Sequence, residues 1–149
     1  MFKVTQLRQF DEYGRVTSST DRNGVATTIS SYDYLDRMLE RYVVGALGQN
    51  YSGTEYFEYN ARGLTNYTDA LGKVTRFVRD ELSRTLYETN NNEVLQFTYN
   101  PSDQLLTLTD GKQQTTRWKY DVQGRVTNKV DAANADMFRY QYDPERAAH

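Results

Sequence analysis

Cysteine is absent from this sequence, so neither a disulfide framework nor a thiolate metal site is available to it, and sulfur leaves the redox compartment open. Histidine occurs once, as His149 at the very end, which leaves no imidazole to anchor a catalytic triad. No apolar run approaches the roughly 18 residues that a membrane span needs, and Met1-Phe2-Lys3-Val4-Thr5-Gln6-Leu7-Arg8 lacks the apolar stretch of a signal peptide. Charge of one sign is not in excess either. Eighteen basic residues nearly cancel twenty acidic ones, and no Lys/Arg cluster marks a nucleic-acid footprint. Hydrophobic residues make up only 38% of the 149, which is thin for an ordinary core, yet 13% are aromatic and the net charge is only −2. Disorder needs few aromatics and a large charge imbalance, so the chain is expected to fold.

What is present is a period. The pairs Phe10-Asp11, Tyr32-Asp33, Tyr59-Asn60, Arg79-Asp80, Tyr99-Asn100, Tyr120-Asp121 and Tyr142-Asp143 follow one another at spacings of 22, 27, 20, 20, 21 and 22 residues. Four residues beyond the first member of each pair stands a turn position: Gly14, Asp36, Gly63, Ser83, Asp103, Gly124 and Arg146, with Arg15, Arg37, Arg84 and Arg125 next in line. A second turn mark follows about half a period later, at Asp21 to Gly24, Asp69 to Gly72, Asp110 to Gln113 and Asp131 to Asn134, with Thr89-Asn90-Asn91-Asn92-Glu93 as a weaker copy. An Asp or Asn in first place bonds its own backbone two residues on, and Gly in the far place accepts positive φ. Pro101 and Pro144 follow Asn100 and Asp143, where a fixed φ suits the second turn position.

Between the turns lie segments of five to eight residues, rich in Thr, Val, Tyr, Phe and Trp and alternating with period two, which makes them strands. Leu95, Phe97 and Tyr99 share one face, as do Trp118 and Tyr120, Phe57 and Tyr59, and Phe138, Tyr140 and Tyr142; neighbouring hairpins are therefore expected to stack an aromatic stripe across the sheet. The fold class predicted is all-β, an array of antiparallel β-hairpin repeats in a long curved or spiralling open sheet. It divides into an N-terminal edge segment at 1–9, a repeat array of about six units at 10–143, and a tail at 144–149. The 27-residue interval carries Val43 to Thr54, where three glycines predict an enlarged loop at 43–54.

Chemistry is sparse. The carboxylates Asp21, Asp69, Asp110 and Asp131 recur at turn phase and are explained by turns rather than by acid–base work. Asp21-Arg22-Asn23-Gly24 starts like a calcium loop, but the twelfth position is Tyr32 instead of Glu. No phosphate cradle or dinucleotide fingerprint is present. The expectation is a non-enzyme without catalytic, metal or cofactor residues. Its structural turns are Asp11, Gly14, Asp21, Gly24, Asp33, Asn60, Gly63, Asp69, Gly72, Asp80, Asn100, Asp110, Asp121, Gly124, Asp131 and Asp143. The aromatics Phe57, Tyr59, Phe97, Tyr99, Trp118, Tyr120, Phe138 and Tyr140 are the candidates for a binding surface, since amphipathic rings stack on sugar faces.

Tyr120-Asp121-Val122-Gln123-Gly124-Arg125-Val126-Thr127 resembles the YDxxGRLT signature of YD, or RHS, repeats, found in bacterial RHS proteins, toxin-complex shells and teneurins; Tyr13-Gly14-Arg15-Val16-Thr17 and Tyr32-Asp33-Tyr34-Leu35-Asp36-Arg37 repeat the match. The resemblance implies a ribbon of hairpins that winds into a hollow shell around a toxic C-terminal domain. It further implies a secreted or cell-surface setting, with neighbouring repeats or a toxin domain as partners. The chain departs from it at Arg79, which replaces the aromatic, and at Leu64, which replaces the Arg after Gly63. It is also too short to close a shell and has no toxin domain or autoproteolytic segment of its own. The expected role is therefore a structural shell segment, prone to self-association through open sheet edges when isolated. The alternative is a carbohydrate- or protein-binding module; no nucleic acid or membrane span enters either reading.

Overall fold

The alternation of β-branched and aromatic residues with Asp/Asn-led turns produces strands, and among the described residues nothing else. The computed structural model describes residues 7–44 and 52–143, the side chain of Ser30 excepted. The strands are β1 (Leu7–Phe10), β2 (Val16–Thr20), β3 (Ala26–Tyr32), β4 (Met38–Val44), β5 (Ser52–Asn60), β6 (Gly63–Thr68) and β7 (Val74–Arg79). After these come β8 (Thr85–Asn90), β9 (Glu93–Tyr99), β10 (Leu105–Thr109), β11 (Thr115–Tyr120), β12 (Val126–Val130) and β13 (Asp136–Arg139). Strand order is chain order. The chain divides into two compact units, Met1–Phe77 and Val78–His149, the division falling inside β7.

In the first unit β1 to β7 form an antiparallel meander, with Ser18 opposite Thr28, Thr28 opposite Tyr42, Tyr42 opposite Thr54, and Phe57 opposite Tyr67. In the second, β8 to β13 do the same: Phe97 lies opposite Leu108, Arg117 opposite Val130, and Lys129 opposite Phe138. Five pairings slip by one residue just before a Tyr-Asp-type turn, at Phe10, Tyr32, Tyr59, Tyr99 and Tyr120. Such bulges strengthen the local twist and re-aim the side chains beside them.

Among the described residues no hydrophobic side chain is buried; the most enclosed are Glu55, Thr75 and Asn128. Burial nevertheless alternates. In β9 Leu95, Phe97 and Tyr99 are half-buried while Val94, Gln96 and Thr98 are exposed, and in β11 Trp118 and Tyr120 are more covered than Arg117 and Lys119. The aromatic face is thus the better covered one, which periodicity alone could not decide.

The segment 43–54, expected as an enlarged loop, is partly ladder. Val43 pairs with Gly53 and Val44 with Ser52, so β4 and β5 extend into it; positions 45–51 lie outside the described residues. Gly53 is a strand residue whose lack of a side chain has a packing reason: a Cβ there would stand 2.6 Å from the Cβ of Ala70. The expected tail at 144–149 also lies outside the described residues.

Candidate functional site

The turns are where the repeat places its chemistry. Among the described residues nine of them share one geometry: the first residue's N–H donates to the carbonyl of the fifth, and the fourth residue's N–H donates to the carbonyl of the first, at 2.9–3.1 Å. This is the three-residue hairpin loop, a type I turn closed by a left-handed residue. The first residues are Asp11, Asp21, Asp33, Asp69, Asp80, Asn100, Asp110, Asp121 and Asp131. In each, one side-chain oxygen accepts from the N–H groups two and four residues on, as Asp121 Oδ1 does from Gln123 and Arg125 at 3.0 and 2.9 Å. One acceptor therefore satisfies two turn donors.

The left-handed fourth position holds glycine at Gly14, Gly24, Gly72 and Gly124 but Asp36, Ser83, Asp103, Gln113 and Asn134 elsewhere. Two of the non-glycine residues have a second task. Asp36 accepts from Arg15 Nη1 at 3.1 Å, and Asp103 from Arg84 Nη1 at 3.0 Å. The remaining turns differ. Asn60 Oδ1 accepts from Arg62 N–H and pairs with Gly63, whose φ is 120°. Thr89 to Glu93, the weaker copy of the second turn mark, is instead a two-residue loop with both Asn91 and Asn92 at positive φ, which is the type I′ pattern.

The Tyr-Asp turns add an arginine. Arg15, Arg37 and Arg125 each place Nε 2.7 Å from the second oxygen of Asp11, Asp33 and Asp121, and Arg84 holds Asp80 in the same way. Burial alone would push these four carboxyls up; the backbone and guanidinium hydrogen bonds outweigh it and hold them below the ordinary carboxylate range. Each guanidinium then lies over the tyrosine ring of the following repeat: Arg15 over Tyr32 at 4.8 Å, Arg37 over Tyr59 at 4.6 Å, Arg84 over Tyr99 at 5.1 Å and Arg125 over Tyr142 at 4.2 Å. The tyrosine hydroxyl closes the link by donating to the carbonyl of the preceding hairpin: Tyr32 to Val16, Tyr99 to Thr85, Tyr120 to Leu105 and Tyr142 to Val126. Each such connection is a rung that ties one hairpin to the next.

Beside the expected aromatic stripe, four of the links between repeats are Arg-on-Tyr. Ring-to-ring contacts do occur for Phe57 with Tyr67 at 5.2 Å and for Phe138 with Tyr140 at 4.9 Å. Of the other candidate aromatics, Trp118 carries Lys129 Nζ 5.2 Å from its ring, Phe97 faces Leu108 across β9–β10, and Tyr140 is exposed. Arg79, at a tyrosine position, turns back to Ser83 O and Thr85 Oγ1.

Two features escaped the sequence reading. Asn100 and Gln104 form a neutral copy of the Asp/Arg pair: Asn100 Nδ2 donates to Gln104 Oε1 at 2.6 Å, and Gln104 Nε2 reaches on to Gly124 O at 2.9 Å. Spotting it required treating Asn-x-x-x-Gln as the uncharged equivalent of Asp-x-x-x-Arg. The second is the Arg41–Glu55 ion pair, with Glu55 almost fully buried and Arg41 also 5.4 Å from the centre of the Phe57 ring.

The fold and the turn-and-rung ladder define a class, all-β arrays of antiparallel hairpin repeats in an open sheet. More particularly, the RHS Repeat family model matches residues 99–136. Similar solved structures include TcdB2–TccC3 without its hypervariable C-terminal region, with a TM-score of 0.73 and 18% identity over 96% of this chain and 9% of that one. The TcdB2–TccC3–Cdc42 crystal structure matches with a TM-score of 0.70 and 19% identity over 89% of this chain and 8% of that one. The Photorhabdus luminescens Tc holotoxin pore matches with a TM-score of 0.68 and 18% identity over 88% and 8%. The chain thus spans less than a tenth of the length of these structures, and the likeness is one of fold. No curated protein matches it.

Proposed function

We propose that this chain is a non-catalytic wall segment of an RHS-type β-shell, secreted or at the cell surface, whose neighbours are further repeats and an enclosed toxin or effector domain. The observation that carries the reading is the ladder itself. The described residues bury no hydrophobic side chain, while each Arg–Tyr rung leaves one turn and grips the next, so cohesion passes from repeat to repeat. A wall needs such translational bonding; an enzyme needs a converging site. The carboxylates of the Tyr-Asp turns, Asp11, Asp33, Asp80 and Asp121, are committed to turn N–H groups and guanidinium partners.

In a linear array each added repeat contributes its own interface, so the proposal is tested by lengthening the chain. A longer chain, in which a second copy of residues 101–143 follows Asp143 so that Tyr142-Asp143 leads into Pro101 as Tyr99-Asn100 does, is expected to have a higher urea midpoint of unfolding. An unchanged midpoint would show that the repeats do not stabilise one another and would overturn the wall reading. Hydrolase activity in the purified chain, abolished by a point substitution, would overturn its non-catalytic part.

A further inference from the structure

We propose that the tip of the β2–β3 hairpin, Asn23-Gly24, is a self-modification site, at which the asparagine closes to a succinimide that water opens mainly to isoaspartate. Asn23-Gly24 is the only Asn-Gly pair in the chain. Ring closure needs the backbone nitrogen after the asparagine to reach its Cγ, and a side chain on that next residue hinders the approach; glycine has none and leaves the backbone free to reorient. Asn23 is exposed at the turn tip, and among the described residues its side-chain amide has no partner. A Cβ placed on Gly24 would meet nothing within 4 Å, so the space around the attacking nitrogen is open to water.

The step needs no reagent besides water. The Gly24 nitrogen bonds to Asn23 Cγ, the Cγ–Nδ2 bond breaks, and Nδ2 leaves as ammonia with the Gly24 amide proton. Water then opens the ring at one of its two carbonyls. Opening at the main-chain carbonyl routes the backbone through Cβ and leaves isoaspartate; opening at the Cγ carbonyl leaves aspartate. The turn gates the first step. When it is closed, the Gly24 N–H donates to Asp21 O at 3.1 Å, and the Asn23 and Val25 N–H groups donate to Asp21 Oδ1 at 2.7 and 3.0 Å. The Gly24 nitrogen is free to attack only when the turn opens. The fifth residue of this turn is Val25 and not the arginine that braces Asp11, Asp33, Asp80 and Asp121, so Asp21 restrains the opening without a guanidinium on its second oxygen. The isoaspartyl backbone is longer by one carbon and sets a new carboxylate beside that of Asp21, which loosens the Thr20–Ala26 end of the ladder. This inference goes beyond the wall role and does not depend on it.

The test is to age the purified 149-residue chain at mildly alkaline pH and follow each asparagine by peptide mapping with mass spectrometry, with isoaspartate labelled by a protein isoaspartyl methyltransferase. Asn91, Asn92 and Asn134 are the internal comparators, being exposed turn residues whose next residue carries a side chain. The expected result is that Asn23 converts first, with isoaspartate in excess over aspartate, and that Asn23→Gln removes the label from that peptide. Asp21→Ala removes the acceptor of two turn N–H groups and is expected to speed conversion at Asn23 about tenfold. The comparators keep their rates in that variant, which separates opening of this turn from a general loss of fold. Gly24→Ala serves where Asp21→Ala does not fold: its methyl group crowds the nitrogen in the folded and the unfolded chain alike, and conversion is expected to slow severalfold. Conversion at Asn23 no faster than at the three comparators, aspartate as the sole product, or a rate at Asn23 untouched by these substitutions overturns the proposal.

Discussion

Asp121 shows how much one residue of this repeat is asked to do. Its Oδ1 takes two backbone N–H groups and its Oδ2 the guanidinium of Arg125. Asn100 shows what survives without the charge: the Oδ1 contacts to Ser102 and Gln104 persist, and the outer contact is remade between two amides. Hence Asp121→Asn and Arg125→Gln should each lower the urea midpoint, and the double variant should recover part of the loss, as a double-mutant cycle would register. Tyr99→Phe removes only the hydroxyl that donates to Thr85 O and is expected to cost about 1 kcal/mol in the same measurement. Gly53→Ala forces a Cβ against Ala70 and should cost roughly 1–3 kcal/mol. The turn aspartates were legible in the sequence because an Asx turn is satisfied within five residues. Gly53 was not, because the neighbour that forbids a side chain there, Ala70, is distant in sequence.

At the scale of the hairpin, the turn and the rung differ in how far they reach along the chain. The turns are local, and their spacing located β1 to β13 with the exception of the ladder at 43–44 and 52–54. The rungs join residues 14 to 23 apart, such as Arg37 with Asn60 O or Tyr99 with Thr85 O, so the sequence showed both partners without showing that they meet. The left-handed residues Asp36 and Asp103 follow the same logic. Glycine is the easier occupant of that conformation, but only a carboxylate there receives the arginine of the preceding turn. The charged turns also set a pH dependence. Asp11, Asp33, Asp80 and Asp121 have folded-state pKa values below the ordinary carboxylate value of about 3.9, so their contribution is fully present above that value and is lost as pH falls through the lowered ones. From these four groups, thermal unfolding midpoints should hold level from neutral pH to about 4 and fall below it. Replacing Asn100 and Gln104 by Asp and Arg should steepen that acid limb.

For the whole molecule the proposed role is a length of wall, tied internally by rungs and completed by further repeats. Among the described residues the outermost strand β1 is exposed along all four positions, with Leu7 at 65% and Phe10 at 58%, and an open strand edge pairs with whatever strand it meets. The most direct test is size-exclusion chromatography with multi-angle light scattering on the purified 149-residue chain, with circular dichroism on the same fractions. A wall segment is expected to give β-rich material that self-associates, in a concentration-dependent way that Leu7→Lys with Gln9→Lys on β1 reduces. A discrete β-rich monomer at every concentration would contradict it, because a segment content with its own edges is a finished domain and not a piece of wall.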